Sequence, residues 1–354
     1  MRISIFCITL AVAAVAFLLK SVVSVGSPSN ERVTLAVNEH ERRVDVTIGG
    51  KPFTSYIWPT TLKKPVLYPL RTANGTIVTR GFPLQQRAGE RVDHPHHAGL
   101  WFNYENVNGL DFWNNSDAIN AEDAPKMGTI VQRAILSAKS GAKQGELDVE
   151  TDWVNFEKKV LLNEHTHFVF RGDPGFRSVD RITTLRALDE KVSFPDEKDG
   201  MLGLRVIRAL EIPSDKPEIY NDANGRATTV AKLDNTGVNG SYLTSEGRKD
   251  DAAWGTRGRW CSLRGMVGDE PVTITILDHP ENPGFPTYWH ARGYGLFAAN
   301  PLGQKIFSNG KEELTFSLAP HTSVKFRYRI LISSTIATPE DTEAAYKDFA
   351  ASYH

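Results

Sequence analysis

Apolar positions along this chain recur mostly at every second residue, the period of half-buried strands. Leu147, Val149, Thr151 and Trp153 alternate with Asp148, Glu150 and Asp152, and Val324, Phe326, Tyr328, Ile330 and Ile332 alternate with Lys325, Arg327 and Arg329. Residues 33–37 and 43–48 predict an opening hairpin, and 178–188, 204–212, 272–277 and 313–318 predict further strands. Five Asn-Gly dipeptides, at Asn74, Asn108, Asn224, Asn239 and Asn309, are candidate two-residue hairpin turns. Helical patterning is clear only at the end. There Thr338 supplies an N-cap, Pro339 a first helical residue and Glu340-Asp341 acids for the first turn, while Ala345, Tyr346, Phe349 and Ala350 share a face. A C-terminal helix over 339–352 packed on a sheet is expected.

Many strands, turn dipeptides and no alternation of strands with helices predict an all-β fold, a large antiparallel β-sandwich. No change of composition divides the chain, so residues 27–354 are expected to form one domain. The polar stretch 221–251 is the one candidate long loop. Arg2, a 17-residue apolar run from Ile3 to Leu19 and the small residues Ser24 and Gly26 predict a signal peptide over 1–26 and a periplasmic or extracellular destination. The same run also has the makings of an uncleaved anchor. Without those residues the chain keeps 39 basic and 42 acidic residues, a balance that attracts neither nucleic acid nor an anionic membrane surface. Cys261 is then the only cysteine, so a monomer holds no disulfide and stability must come from a large core.

Candidate chemistry is concentrated in two segments. RVDHPHHAGLWFNYENVNGLDFW, 91–113, packs three of the ten histidines, several acids and large aromatics into one stretch, and DHPENPGFPTYWHARGYGLFAANPLG, 278–303, repeats the mixture. Titratable groups beside rings at this density describe a pocket lining better than a core, where each His would need its own partner. The motifs DHPHHAGLWF, VNGLDFW, KDGMLGLR, WGTRGRW and TYWHARGYGLFAANPLG, in this order, resemble a bacterial PmoA-like family of unknown function over most of the chain. The resemblance implies a secreted all-β protein of bacteria rich in glycan-degrading genes. The family label comes from methane oxygenase, whose membrane subunit needs several apolar spans of about 20 residues; this chain has one apolar run. The family usually carries Arg where this chain has Ala98. A sandwich of this size also resembles the supersandwich of sugar mutarotases and polysaccharide lyases, an analogy of fold alone.

Each candidate residue has a functional and a structural reading. If the DHPHH segment is extended, His94 and His96 share a face and form a two-point metal grip, with His290 or Glu105 as a third ligand, and His97 points away. The alternatives for His96 and His97 are direct proton transfer or substrate contact, and hydrogen-bonded structural roles. His165 and His167, in EHTHF, read as solvent-face strand positions. His290 with Arg292, Tyr288 and Trp289 offers an acid or base, a clamp for an anion or hydroxyl, and stacking rings, as sugar sites do. Trp254, Arg257, Arg259 and Trp260 give rings and guanidinium groups for a ligand or for cation–π packing. Asp199 and Arg205 flank a Gly-rich turn as a functional pair or a plain ion pair, and Trp101, Asp111 and Trp113 complete the expected lining.

Two readings of function follow. One is a secreted carbohydrate-processing protein in which His96, His97, His290 and Arg292 carry acid–base chemistry at a carbon bearing a sugar hydroxyl or carbonyl, as lyase, epimerase or hydrolase. The other is a non-catalytic glycan-binding or scaffold protein. No cofactor beyond a divalent metal at His94 and His96 is suggested. DHPHH and TYWHAR are expected to form one site; His96 or His97 converging with His290 favours the enzyme, and histidines on separate surfaces favour the binding protein.

Overall fold

A computed structural model describes residues 31–222, 224 and 226–354. The predicted signal peptide, Cys7 and the glycine of the Asn224-Gly225 turn lie outside the described residues.

Two eight-stranded antiparallel sheets make the molecule. The first runs, edge to edge, Val33–Asn38, Arg43–Ile48, Lys51–Ile57, Val66–Leu67, Leu100–Tyr104, Gly200–Arg205, Leu296–Asn300 and Tyr288–Ala291. The second runs Ser241–Thr244, Trp260–Val267, Glu270–Asp278, Ser323–Ser333, Phe176–Ala187, Val160–Gly172, Gly145–Val154 and Thr129–Lys139. The period-two residues of both sheets meet in one core that includes Val46, Phe102, Trp153, Phe168, Ile276, Trp289 and Ile330. The helix Pro339–Ala350 covers a smaller cluster in which Tyr346 and Phe349 pack on Trp260 and Leu277. It starts with a reciprocal capping box between Thr338 and Asp341, as the sequence pattern requires.

Register decides what the first sheet offers on its other face. Phe102, Leu202, Ala299 and Trp289 are paired in line across four strands and lie in the core. Their neighbours Trp101, Gly203, Ala298 and His290 form the next line and face away from it. Two of the four are small. A Cβ at Gly203 would collide with the Trp101 indole, so glycine there lets that ring lie across the sheet.

Several expected elements differ. The 204–212 strand ends at Arg205, and residues Arg208–Leu210 form a 3-10 turn; the strand instead begins earlier, at Gly200. The 313–318 strand shrinks to Phe316–Leu318, because the Asp196 carboxylate captures the N–H groups of Leu314 and Thr315. Asn108-Gly109 does close a tight two-residue turn between Val107 and Leu110, with both residues at positive φ. Asn309-Gly310 instead ends the short helix Gln304–Phe307, and Asn239-Gly240 leads into an edge strand. The 221–251 stretch is structured too, by the pairing of Glu218–Asn221 with Ala227–Val230 and by the edge strand Ser241–Thr244. On the opposite edge, Thr129–Lys139 breaks its pairing twice, between Gln132 and Ala134 and between Ile135 and Ser137.

Candidate functional site

The DHPHH segment is a turn, not a strand. His94 sits at φ 45°, and the N–H of His97 donates to the His94 carbonyl at 3.0 Å. The rings therefore do not alternate but stack. His94 lies parallel to His97 at 4.8 Å between centroids, and His97 lies on Trp101 at 5.1 Å. Trp113 closes on both edge-on, and Trp101 and Trp113 are fully buried, so they support the histidines from below instead of walling an open pocket.

Arginines hold this turn in place. Arg205 Nη2 donates to both oxygens of Asp93, at 2.7 and 2.9 Å, and its Nη1 donates to His97 Nδ1 at 3.1 Å. Arg80 donates to Asp93 Oδ1 at 2.6 Å and to the carbonyls of His94 and His97. Burial opposes the charge of Asp93, but the His94 hydrogen bond and the charges of Arg205 and Arg80 hold its carboxyl well below the usual carboxylate range. Burial and then the neighbouring His96 and Arg205 push His97 well below the usual imidazole value, and burial and Lys64 lower His96 to about 2. Both are neutral rings near pH 7, and the Nε2 atoms of both are buried without a protein partner. Arg205 is thus the partner of Asp93, at the far end of its strand from Asp199. Asp93, Arg80 and Arg205 connect residues far apart in sequence, a pairing no local pattern marks.

At the other end of the strand line, His290 is 3% exposed and its Nδ1 lies 3.3 Å from Asp199 Oδ1, without hydrogen-bond geometry. Burial, then Lys198 and Arg292, depress the imidazole to about 3. Asp199 and Glu105 are tied through their backbones. The Glu105 N–H donates to the Asp199 carbonyl at 2.9 Å, and the Asp199 N–H donates to Glu105 Oε2 at 3.2 Å. Burial and the charge of Asp199 raise Glu105 to about 7. Asp111 is also raised by burial, while accepting two hydrogen bonds from Asn114. Around these groups stand the half-buried Arg292, Trp254 and Tyr294, with the Arg292 guanidinium 5.4 Å from the Trp254 ring and 5.8 Å from the Tyr294 ring.

The two segments do come together. His94 stacks on Tyr294 at 5.3 Å with the rings parallel, Arg205 lies over the other member of that contact at 4.8 Å from the Tyr294 ring, and Trp101 and His290 share one line of the same sheet face. Trp289 does not take part, since strict alternation sends it into the sandwich core. Tyr288 and Arg257 stack on each other at 4.7 Å and both reach Glu312, to one side. The WGTRGRW motif is divided: Trp254 is edge-on to His290 at 6.4 Å, whereas Trp260 and Arg259 bind Glu343 of the C-terminal helix. Among the described residues no group of three or more His, Cys, Asp or Glu side chains is placed to hold a metal ion, and His94, the first of the two expected ligands, has its Nδ1 on Asp93 at 2.6 Å. Glu105, whose sequence reading was as a metal ligand, and Tyr294, bracketed by glycines in RGYG, are the residues whose place sequence reasoning missed; the spacing of RGYG was the available signal.

Fold and site together define an antiparallel two-sheet sandwich that carries a histidine, carboxylate and aromatic face on one sheet. The chain belongs to a family of unknown function, DUF6807, whose model matches residues 43–347. No curated protein matches it. Among solved structures it is similar to galactose 1-epimerase from Lactobacillus acidophilus, 10% identical, with 88% of this chain and 100% of that one covered and a TM-score of 0.39. It is also similar to a galactose mutarotase-like protein from Clostridium acetobutylicum, 10% identical, with 86% and 99% covered and a TM-score of 0.40. At this degree of likeness their chemistry does not transfer.

Proposed function

We propose that this protein processes a sugar or glycan outside the cytoplasm by acid–base chemistry at the cluster of Glu105, Asp199, His290, Arg292, Trp254 and Tyr294. The observation that carries the reading is Glu105 beside Asp199, its carboxyl raised to about 7 first by burial and then by the Asp199 charge. A carboxyl group that titrates near neutral pH can both give and take a proton there, which is what transfer at a carbon bearing a hydroxyl or carbonyl needs. His290, neutral at that pH, donates or accepts a hydrogen bond to a sugar hydroxyl, and Arg292 steadies negative charge on an oxygen. The rings of Trp254 and Tyr294 suit the C–H faces of a pyranose. Histidine leads the chemistry less than its number suggests, because the His96 and His97 rings are held neutral and His97 accepts from Arg205. That stacked arrangement favours a second reading, a glycan-binding protein in which the histidines are spacers.

The test is a screen of aldoses, uronates and oligosaccharides for anomerisation, epimerisation, elimination and hydrolysis. Glu105→Gln and Asp199→Asn are each expected to lower kcat by about 10²–10⁴ with sugar binding retained. Sugar binding with no turnover by the unaltered protein in any of these assays rejects the enzyme reading in favour of the binding one.

A further inference from the structure

A concavity lies away from this cluster. A groove of about 630 Å³ runs between the 58–65 loop and the edge strand Thr129–Lys139, within the size range of small-ligand sites. The backbone bond from Ile130 N to the Lys63 carbonyl, 2.8 Å, joins its two walls. Its lining has one acid, Glu39, against the cations Arg42, Lys63, Arg133 and Lys158, with the buried Lys64 behind them. This bias stands out in a chain with 41 basic and 42 acidic residues overall. Trp58, half-buried and 5.5 Å from the Tyr56 ring, supplies an aromatic surface among these charges.

Lys63 pairs with Asp117 and Arg133 with Glu150, but Arg42 and Lys158 are exposed and make no ion pair among the described residues. Both occupy left-handed turn positions, φ 54° and 69°, where turn chemistry favours glycine or asparagine. Long cationic side chains at two such positions, on turns from different sheets, cost backbone energy that surface solubility does not require. The interrupted edge pairing adds to the arrangement: Arg133 is the residue left over where Gln132 and Ala134 resume pairing with consecutive partners, so its side chain is re-aimed by a bulge.

We infer that this groove binds an acidic glycan segment, with Trp58 against a sugar ring and Arg42 and Lys158 on its carboxylate or sulfate groups. Rings for C–H faces and cations for the anionic substituents are the chemistry that recognises such a chain, and phosphate-bearing nucleic acid would require a continuous basic track that the groove lacks. The groove lining contains none of the proton-transfer groups; Lys64, which is part of it, donates from Nζ to the His96 carbonyl at 2.9 Å.

Isothermal titration of the full chain with an oligogalacturonate, a sulfated oligosaccharide and a neutral oligosaccharide of equal length tests the inference. Binding of either anionic chain, weakened by added salt and lowered about tenfold or more in an Arg42→Glu/Lys158→Glu double variant, is expected, because exposed charge pairs are screened and reversed in sign there. The arm that binds tells carboxylate from sulfate. Trp58→Ala should weaken it further, and since both cations are exposed the double variant keeps the test valid if Trp58→Ala does not fold. A neutral oligosaccharide binding as well as the anionic ones, no binding of any, or binding unchanged in the double variant overturns the assignment. Glu105→Gln should leave this binding intact, so a failure of the enzymatic reading is distinguishable from a failure of this one.

Discussion

Two regions carry the same residue pattern with opposite outcomes. His94-Pro95-His96-His97 and His165-Thr166-His167 both place histidines two apart. On the second sheet, His165 and His167 stand on the outer face of a regular strand and both reach one carboxylate, Asp148, at 3.2 and 3.0 Å. They are partly exposed to solvent, which limits what that pairing contributes. On the first sheet, a proline and a left-handed residue convert the pattern into a turn, two arginines hold it, and the exposed His94 ring stacks on the buried His97 ring. Spacing alone therefore does not define a histidine site. The charges packed against the segment do, and those come from elsewhere in the chain.

The largest expected difference between the regions is in stability. Asp93→Ala leaves the fully buried Arg205 and Arg80 without their shared carboxylate and is expected to cost about 3–5 kcal/mol, whereas Asp148→Ala is expected to cost no more than about 1 kcal/mol. Denaturant unfolding of both variants checks this, and equal losses would remove the distinction. Gly203→Ala comes next, at about 1–3 kcal/mol, because the added methyl must displace the Trp101 indole beneath His97; a shift in the near-ultraviolet circular dichroism should accompany it. The pH dependence is smaller. His96 and His290 have depressed folded values, about 2 and about 3, so their contribution to stability is present above about 6.5 and is lost as pH falls below it. Glu105 and Asp278, both raised to about 7, act in the opposite sense: their contribution is present below the usual carboxylate range and is lost as pH rises through about 7. The histidine part is isolated with His290→Gln, which should flatten the loss of stability below about pH 6.5 in unfolding measured against pH. Smallest of all, His165→Ala should change stability by no more than about 0.5 kcal/mol, and a larger effect would mean the second-sheet pair is more than a surface contact.

Much of the architecture was legible because it depends on local periodicity. Alternating residues such as Leu147 to Trp153 and Val324 to Ile332 are strands in the structure, and the Thr338-Pro339 signal begins the terminal helix. Errors arose where a side chain overrode the pattern, as Asp196 does at Leu314 and Thr315, or where Asn-Gly serves a helix end instead of a hairpin. The gathering of the two rich segments was legible from their composition. Their internal geometry was not, since it depends on Arg80 meeting Asp93 and on Glu105 meeting Asp199 across adjacent strands, contacts set by sheet order and register. Trp289 shows the same limit within one motif: it neighbours His290 in sequence and faces the other way in the sheet.

The twice-interrupted pairing of Thr129–Lys139 has a consequence for how copies of this protein meet. An open sheet edge is a row of free N–H and C=O groups on which a strand from another molecule can extend the ladder, the first step toward aggregation. With register shifts at Gln132/Ala134 and again at Ile135/Ser137, that row is never in phase for more than a few residues. This edge of the second sheet thereby presents no template long enough for a neighbour to copy.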